Sequence, residues 1–136
     1  MTKILKRNEI KMSIETAQAK SRELKTNIVF NGYYRVHPED RQKFIDAVAD
    51  HIPPTAQSSG CTYYVFAADI LDPNVFHLSE GWESDEALTK HHSSEIFQRA
   101  LGGARETVRI LDHQGQRYDI AKQGDGSPPG GVEVQH

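Results

Sequence analysis

The strongest constraint on this chain is the order in which its hydrophobic period changes along the sequence. Ile28-Val29-Phe30-Asn31-Gly32-Tyr33-Tyr34-Arg35-Val36 is dense in β-branched and aromatic residues and predicts a strand. His37-Pro38-Glu39-Asp40 then opens a helix: proline suits the first helical position, and two acids complement the positive end of the helix dipole. Phe44, Val48 and Ile52 recur on one face of it, flanked by Ile45 and Ala49, until Pro53-Pro54 stops or kinks the run. After a turn at Ser58-Ser59-Gly60, a second strand runs from Cys61 to Ile70. Leu71-Asp72-Pro73-Asn74 joins it, hairpin-fashion, to a third strand from Val75 to Trp82. On that strand Phe76, Leu78, Glu80 and Trp82 share one face, and His77, Ser79 and Gly81 the other. Ser84 is the N-cap of a helix carrying Asp85-Glu86-Ala87-Leu88. A further helical segment has Phe97 and Leu101 four apart and is predicted to end at Gly102-Gly103. Thr107 to Leu111 reads as a fourth strand, Gln114-Gly115 as a turn, and Tyr118 to Ala121 as a short last strand.

The resulting order, β-α-β-β-α-β, is the split βαβ of a ferredoxin-like α+β fold. Both helices lie on one side, so the other sheet face is bare although it carries aromatic and β-branched residues. The economical way to bury it is against the sheet of a second copy, giving a homodimer that closes a dimeric α+β barrel.

At 136 residues the chain has room for one domain, expected over 27–122. Residues 1–26 are polar, with Ile10, Ile14 and Ala17 on helical spacing. That stripe is too thin for an independent helix and predicts an N-terminal arm or helix that leans on a partner surface. From Gln123 onward, 123–136 is expected to be a flexible tail rich in glycine and proline. Sixteen basic and nineteen acidic residues leave a net charge of -3 with no basic block, which excludes nucleic acid and an acidic membrane surface as expected partners. No apolar run is long enough for a transmembrane helix, and Met1 to Arg7 lacks the apolar core of a secretory leader, so a cytoplasmic location is expected. The single cysteine, Cys61, rules out an intramolecular disulfide and a cysteine-based zinc site.

No phosphate loop, nucleophile elbow or metalloprotease motif is present, so any chemistry must come from scattered pocket residues. His91-His92-Ser93-Ser94 is the densest polar cluster. Adjacent helical positions point about 100° apart, so one histidine at most is expected to face a cleft, where imidazole can act as base or donor. The competing reading is a solvated helix end with Ser93 or Ser94 as a cap. Glu80 on an otherwise apolar strand face is either a pocket carboxylate or a partner of Arg35, Arg105 or Arg109. Asn31 interrupts an apolar strand and offers an amide to a ligand or simply a polar group to the sheet surface. Tyr63, Tyr64 and Trp82 are core, interface or pocket aromatics. Cys61 reads as a buried, inert thiol, and His77 and His113 have no ligand spacing, so no metal is expected.

The stretch from Asn31 to Leu101, about half the chain, resembles the antibiotic biosynthesis monooxygenase family, which includes quinol monooxygenases. The matching pieces are His37-Pro38-Glu39, Gly60-Cys61-Thr62-Tyr63-Tyr64, Phe76-His77-Leu78-Ser79-Glu80-Gly81-Trp82-Glu83-Ser84-Asp85-Glu86-Ala87-Leu88 and His91-His92-Ser93-Ser94-Glu95-Ile96-Phe97. The resemblance implies a dimeric α+β barrel with a small pocket between sheet and helices. It implies oxidation of a quinol or phenol by O2 with no cofactor, because a deprotonated electron-rich phenol itself passes an electron to O2. By position, His91 matches the helix histidine, Glu80 and Trp82 the third-strand pair, and Asn31 a first-strand asparagine. The resemblance thus implies His91, Asn31 and Glu80 as catalytic residues and Trp82, Tyr63 and Phe97 as the substrate wall. Quinol-oxidising relatives commonly carry His-Phe where this chain has Ile96-Phe97. Haem-degrading relatives need a histidine further along that helix, where this chain has Ala100, Leu101 and Ala104.

Overall fold

One antiparallel sheet carries the fold, its strands in the order β2-β3-β1-β4. The computed structural model describes residues 24–124 and 126, so the expected arm and most of the expected tail lie outside the described residues. The elements are β1 (Ile28–Val36), a 3-10 turn (Pro38–Asp40), α1 (Arg41–Ala49), α2 (Ile52–Ala56), β2 (Cys61–Ala68), β3 (Val75–Trp82), α3 (Asp85–His92), α4 (Glu95–Thr107) and β4 (Ile110–Asp119). This is the expected ferredoxin-like α+β arrangement. Within the described chain the sheet is open, with β2 and β4 at its edges.

Strand parity decides which residues meet the helices. Ile28, Phe30, Tyr34 and Val36 of β1 and Phe76, Leu78 and Trp82 of β3 point to one face. There they pack against Phe44 and Val48 of α1, Ala56 of α2 and Leu88 of α3. The opposite face carries Asn31 beside Ser79 and Tyr33 beside His77. Asp40, at the start of α1, is buried and accepts hydrogen bonds from the backbone N–H of Arg109 (2.8 Å) and from its guanidinium (2.9 and 3.1 Å). That clamp ties the first helix to the strand furthest from it in sequence, and the guanidinium holds the Asp40 carboxyl well below its usual range.

Three boundaries differ from expectation, each for a physical reason. Gly102-Gly103 does not end α4, which continues to Thr107. Neither glycine has positive φ, and the helix runs on so that Ala104 and Val108 can be buried. Gln114-Gly115 is not a turn, and β4 passes straight through it. Gly115 stands opposite Gly32, and a Cβ on it would meet the Phe30 ring at 2.4 Å, so it makes room for an aromatic rather than for a bend. β2 stops at Ala68, leaving Ile70 and Leu71 exposed on the connection to β3. Pro53-Pro54 behaves as expected in ending the α1 face, and goes further by opening α2, whose first-turn N–H groups need no helical partner.

A Cβ added to Gly102 or Gly103 meets nothing within 4 Å. Gly102→Ala and Gly103→Ala are therefore expected to stabilise the protein by about 0.5–1 kcal/mol each, through helix propensity alone. Gly115→Ala is expected to destabilise it by collision with Phe30. Urea denaturation midpoints of the three variants check both directions together.

Candidate active site

The site grows from two strand positions and one helix corner. Glu80 and Trp82 sit two apart on β3, so both project to the helix side, and the Trp82 indole N–H donates to Glu80 Oε1 at 2.9 Å. Ser84 then caps α3, its hydroxyl accepting from the Ala87 N–H at 3.1 Å. Two turns on, α3 brings Leu88 and His91 inward. Ser94 makes the corner between α3 and α4: its hydroxyl donates to the His91 carbonyl at 2.7 Å and accepts from the Phe97 N–H at 3.2 Å. The corner lays Phe97 against the His91 ring at a centroid distance of 4.8 Å.

His91 is thereby enclosed. It stacks on Trp82 (5.0 Å between centroids, 26° between planes) and meets Tyr64 edge-on at 5.4 Å. Its Nε2 is buried and has no hydrogen-bond partner among the described residues. Burial, followed by the neighbouring His92 and His51, lowers its pKa to about 4, so the ring is neutral at neutral pH. Glu80 is only 2% exposed, and burial raises its pKa to about 7 against the opposing effect of the Trp82 hydrogen bond. Among the described residues no arginine forms a salt bridge with it: Arg35 pairs with Asp72 at 2.5 Å and Arg109 with Asp40. Glu80 is thus a buried carboxylate that accepts a hydrogen bond from the Trp82 indole.

Behind this pair lies a second one. The His51 Nδ1–H donates to the Val48 carbonyl at 2.5 Å, and its Nε2 accepts from the Tyr64 hydroxyl at 2.9 Å. Burial lowers the His51 pKa and raises that of Tyr64. On the outer side of His91 is a hollow of about 180 Å³, whose walls include Pro54, Thr55, Ala87, Lys90 and Ile96.

The structure brings together Glu80, Trp82, His91 and Phe97. It does not bring in Asn31 or Tyr63. Asn31 is exposed on the opposite face, where its Oδ1 accepts from Ser79 at 2.9 Å. Tyr63 lies along Gly81 on that same face. Strand parity explains both, since Asn31 alternates with Phe30 and Tyr63 with Tyr64. Three more residues stand near His91, of which the sequence reading names Tyr64 and His92 but not His51. Tyr64 shares Glu80's face and was legible by parity, whereas His51 follows α1 with no local signal. His92 is exposed, yet it comes near His91 because it lies on the last turn of α3. Its ring centroid is 5.5 Å from that of His91, and one donor atom from each of Glu80, His91 and His92 lies within 4.8 Å of the others. Two imidazoles and a carboxylate suit a divalent metal by donor type as well as a proton-transfer pair.

Residues 27–102 match the antibiotic biosynthesis monooxygenase family, more than half of the chain. The chain belongs to that family. The uncharacterised Synechocystis sp. protein sll1783 is 31% identical over 70 residues, which is 52% of this chain and only 48% of that protein. YcnE of Bacillus subtilis, a proposed monooxygenase, is 24% identical over 81 residues, 60% of this chain and 85% of that one. A solved structure from Deinococcus radiodurans, a proposed antibiotic biosynthesis monooxygenase, superimposes with a TM-score of 0.66 at 16% identity, covering 80% of this chain and 99% of the other. That likeness speaks for the fold alone. No helix among the described residues is long and apolar enough to cross a membrane.

The Glu80 shift makes a signed prediction for stability. Its folded pKa lies above its ordinary 4.5, so the fold keeps a proton that the unfolded chain has released. That contribution is complete below pH 4.5 and is lost as pH rises through about 7, on the order of 3 kcal/mol in all. Glu80→Gln is expected to abolish this loss. It should keep the opposite loss from His91, whose lowered pKa costs stability as pH falls from 6.5 to about 4. Thermal unfolding of both proteins across that pH range checks the sign.

Proposed function

We propose that this chain is a monooxygenase that oxidises a small quinol or phenol with O2, using its own side chains and no cofactor. The observation that carries the reading is the neutral, unpartnered Nε2 of His91 beside a carboxylate that ionises near neutrality. The 180 Å³ hollow at His91 is larger than the roughly 150 Å³ cavity that accepts benzene, so it suits one aromatic ring. In this reading the His91 ring turns its buried Nε2 toward the hollow and takes the hydroxyl proton, and ionised Glu80 stabilises the imidazolium that forms. The phenolate passes one electron to O2, the pair recombines on the ring, and the O–O bond breaks. One oxygen atom stays on the product as a quinone oxygen. The other leaves as water with the two hydrogens the substrate has lost.

The uncovered sheet face carries Tyr33, Tyr63 and the exposed Val65, which supports a homodimer through that face. Asn31 and Tyr63 would then belong to the subunit interface. A second reading, a member that binds a small aromatic without oxidising it, is favoured by Ile96 standing where quinol-oxidising relatives carry a histidine.

Oxygen uptake by the metal-stripped protein across a panel of quinols and polycyclic phenols separates the two. The expected result is turnover that falls roughly a hundredfold or more in His91→Ala. The expected kcat/KM rises with pH around a midpoint near 7, the Glu80 value, and Glu80→Gln loses that limb. Full turnover by His91→Ala would remove His91 from the chemistry. Thermal stabilisation by the same panel without oxygen uptake would establish the binding reading instead.

A further inference from the structure

His91 and His92 close α3 side by side, one buried and one exposed, yet their rings converge. Their centroids lie 5.5 Å apart with 44° between the planes. Two imidazoles bound at about 2.1 Å to one tetrahedral ion have centroids roughly 5 Å apart, so the pair already stands near that spacing. Glu80 completes the group from β3, and one donor atom from each of the three lies within 4.8 Å of the others. Donors around such an ion sit roughly 3.4 Å apart. A small closing movement therefore brings the three onto one ion, and the exposed His92 ring can make most of it.

The surroundings favour that occupant. His91 is 6% exposed, and its Nε2 is not tied into a hydrogen bond with any described residue. The Trp82 indole N–H donates to Glu80 Oε1 at 2.9 Å, the kind of outer hydrogen bond that fixes a ligating carboxylate. Both histidines lie in the last turn of α3, where the helix carbonyls carry partial negative charge. Two imidazoles and one carboxylate suit a first-row divalent ion such as Zn2+, whereas Ca2+ and Mg2+ take oxygen donors.

We propose that Glu80, His91 and His92 bind one divalent transition-metal ion, and that the bound ion shuts off proton transfer by His91. Binding follows from the geometry and the donor types; inhibition rests on the oxidative reading above. A neutral imidazole has one lone pair and one N–H. Whichever ring nitrogen holds the ion, the other keeps the proton, so no lone pair is left to accept the substrate's hydroxyl proton.

Trp82 is the chain's single tryptophan and stacks on His91, so a paramagnetic ion held there quenches its fluorescence. Co2+ is titrated into the chelator-stripped full chain, and Zn2+ binding is read by calorimetry. The expected result is saturable quenching at one Co2+ per chain, reversed by excess Zn2+, which itself binds at one per chain. His92→Ala, at an exposed position, is expected to weaken both ions by about tenfold or more and leave the unfolding temperature nearly unchanged. His113→Ala, on β4 and outside the group, is expected to change neither titration. Undiminished binding in His92→Ala, or equal loss in His113→Ala, overturns the metal site. In oxygen uptake, Zn2+ is expected to suppress wild-type turnover severalfold and to lose most of that effect in His92→Ala. One ion bound through His92 with turnover unaffected overturns the inhibition. Binding that depends on His92, with no oxygen uptake on any quinol, supports the metal site and overturns the oxidative reading.

Discussion

Everything in this molecule depends on the two-sidedness of its central strands. β3 is flanked by β2 and β1, so no residue on it can change face without shifting the register of both pairings. Phe76, Leu78 and Trp82 require the helix side, and their burial commits Glu80 to it as well. A carboxylate is thus placed under an apolar layer by the needs of its neighbours. It is tolerated there because the Trp82 indole donates to it and because it can keep its proton. The same parity removes Asn31 and Tyr63 from the helix side. The site is therefore a by-product of strand register, completed by whatever α3 and α4 bring over it.

The helix corner supplies that completion. Ser94 bonds the last carbonyls of one helix and the first N–H groups of the next, so the α3–α4 junction is a fixed bend rather than a loop. Fixing it places His91 between Trp82 and Phe97, with one nitrogen stripped of partners. An orphaned buried nitrogen is destabilising in a resting fold. Its neighbours show no attempt to satisfy it, although Tyr64 is close enough to touch the ring and has a hydroxyl to give. That hydroxyl is turned to His51 instead.

Most of the fold was legible because strand and helix periods differ and because Ser84 and Gly60 mark their boundaries with unambiguous chemistry. Two of the three boundary differences share one cause, which is glycine. Gly102-Gly103 and Gln114-Gly115 look like chain breaks locally, but tertiary packing overrides them. The first pair rides inside a helix whose apolar face is worth burying. The second yields space to Phe30 across the sheet. Within the site, Glu80, Trp82, His91 and Phe97 could be read from parity and helical spacing. Asn31 and Tyr63 were chosen by resemblance and chemical type, and neither criterion encodes which face a strand residue occupies. His51 was invisible because its importance lies in a hydrogen bond across thirteen residues of chain to Tyr64.

The departure at Ile96 acquires a physical meaning in this setting. Ile96 is half exposed at the mouth of the hollow, so a histidine there would face solvent and the outer side of His91. The chain instead places His92 on that side of the corner, 5.3 Å from Phe97 and 5.5 Å from His91 between ring centroids. An exposed imidazole stands here beside the buried pair, one donor atom from each of Glu80, His91 and His92 lying within 4.8 Å of the others.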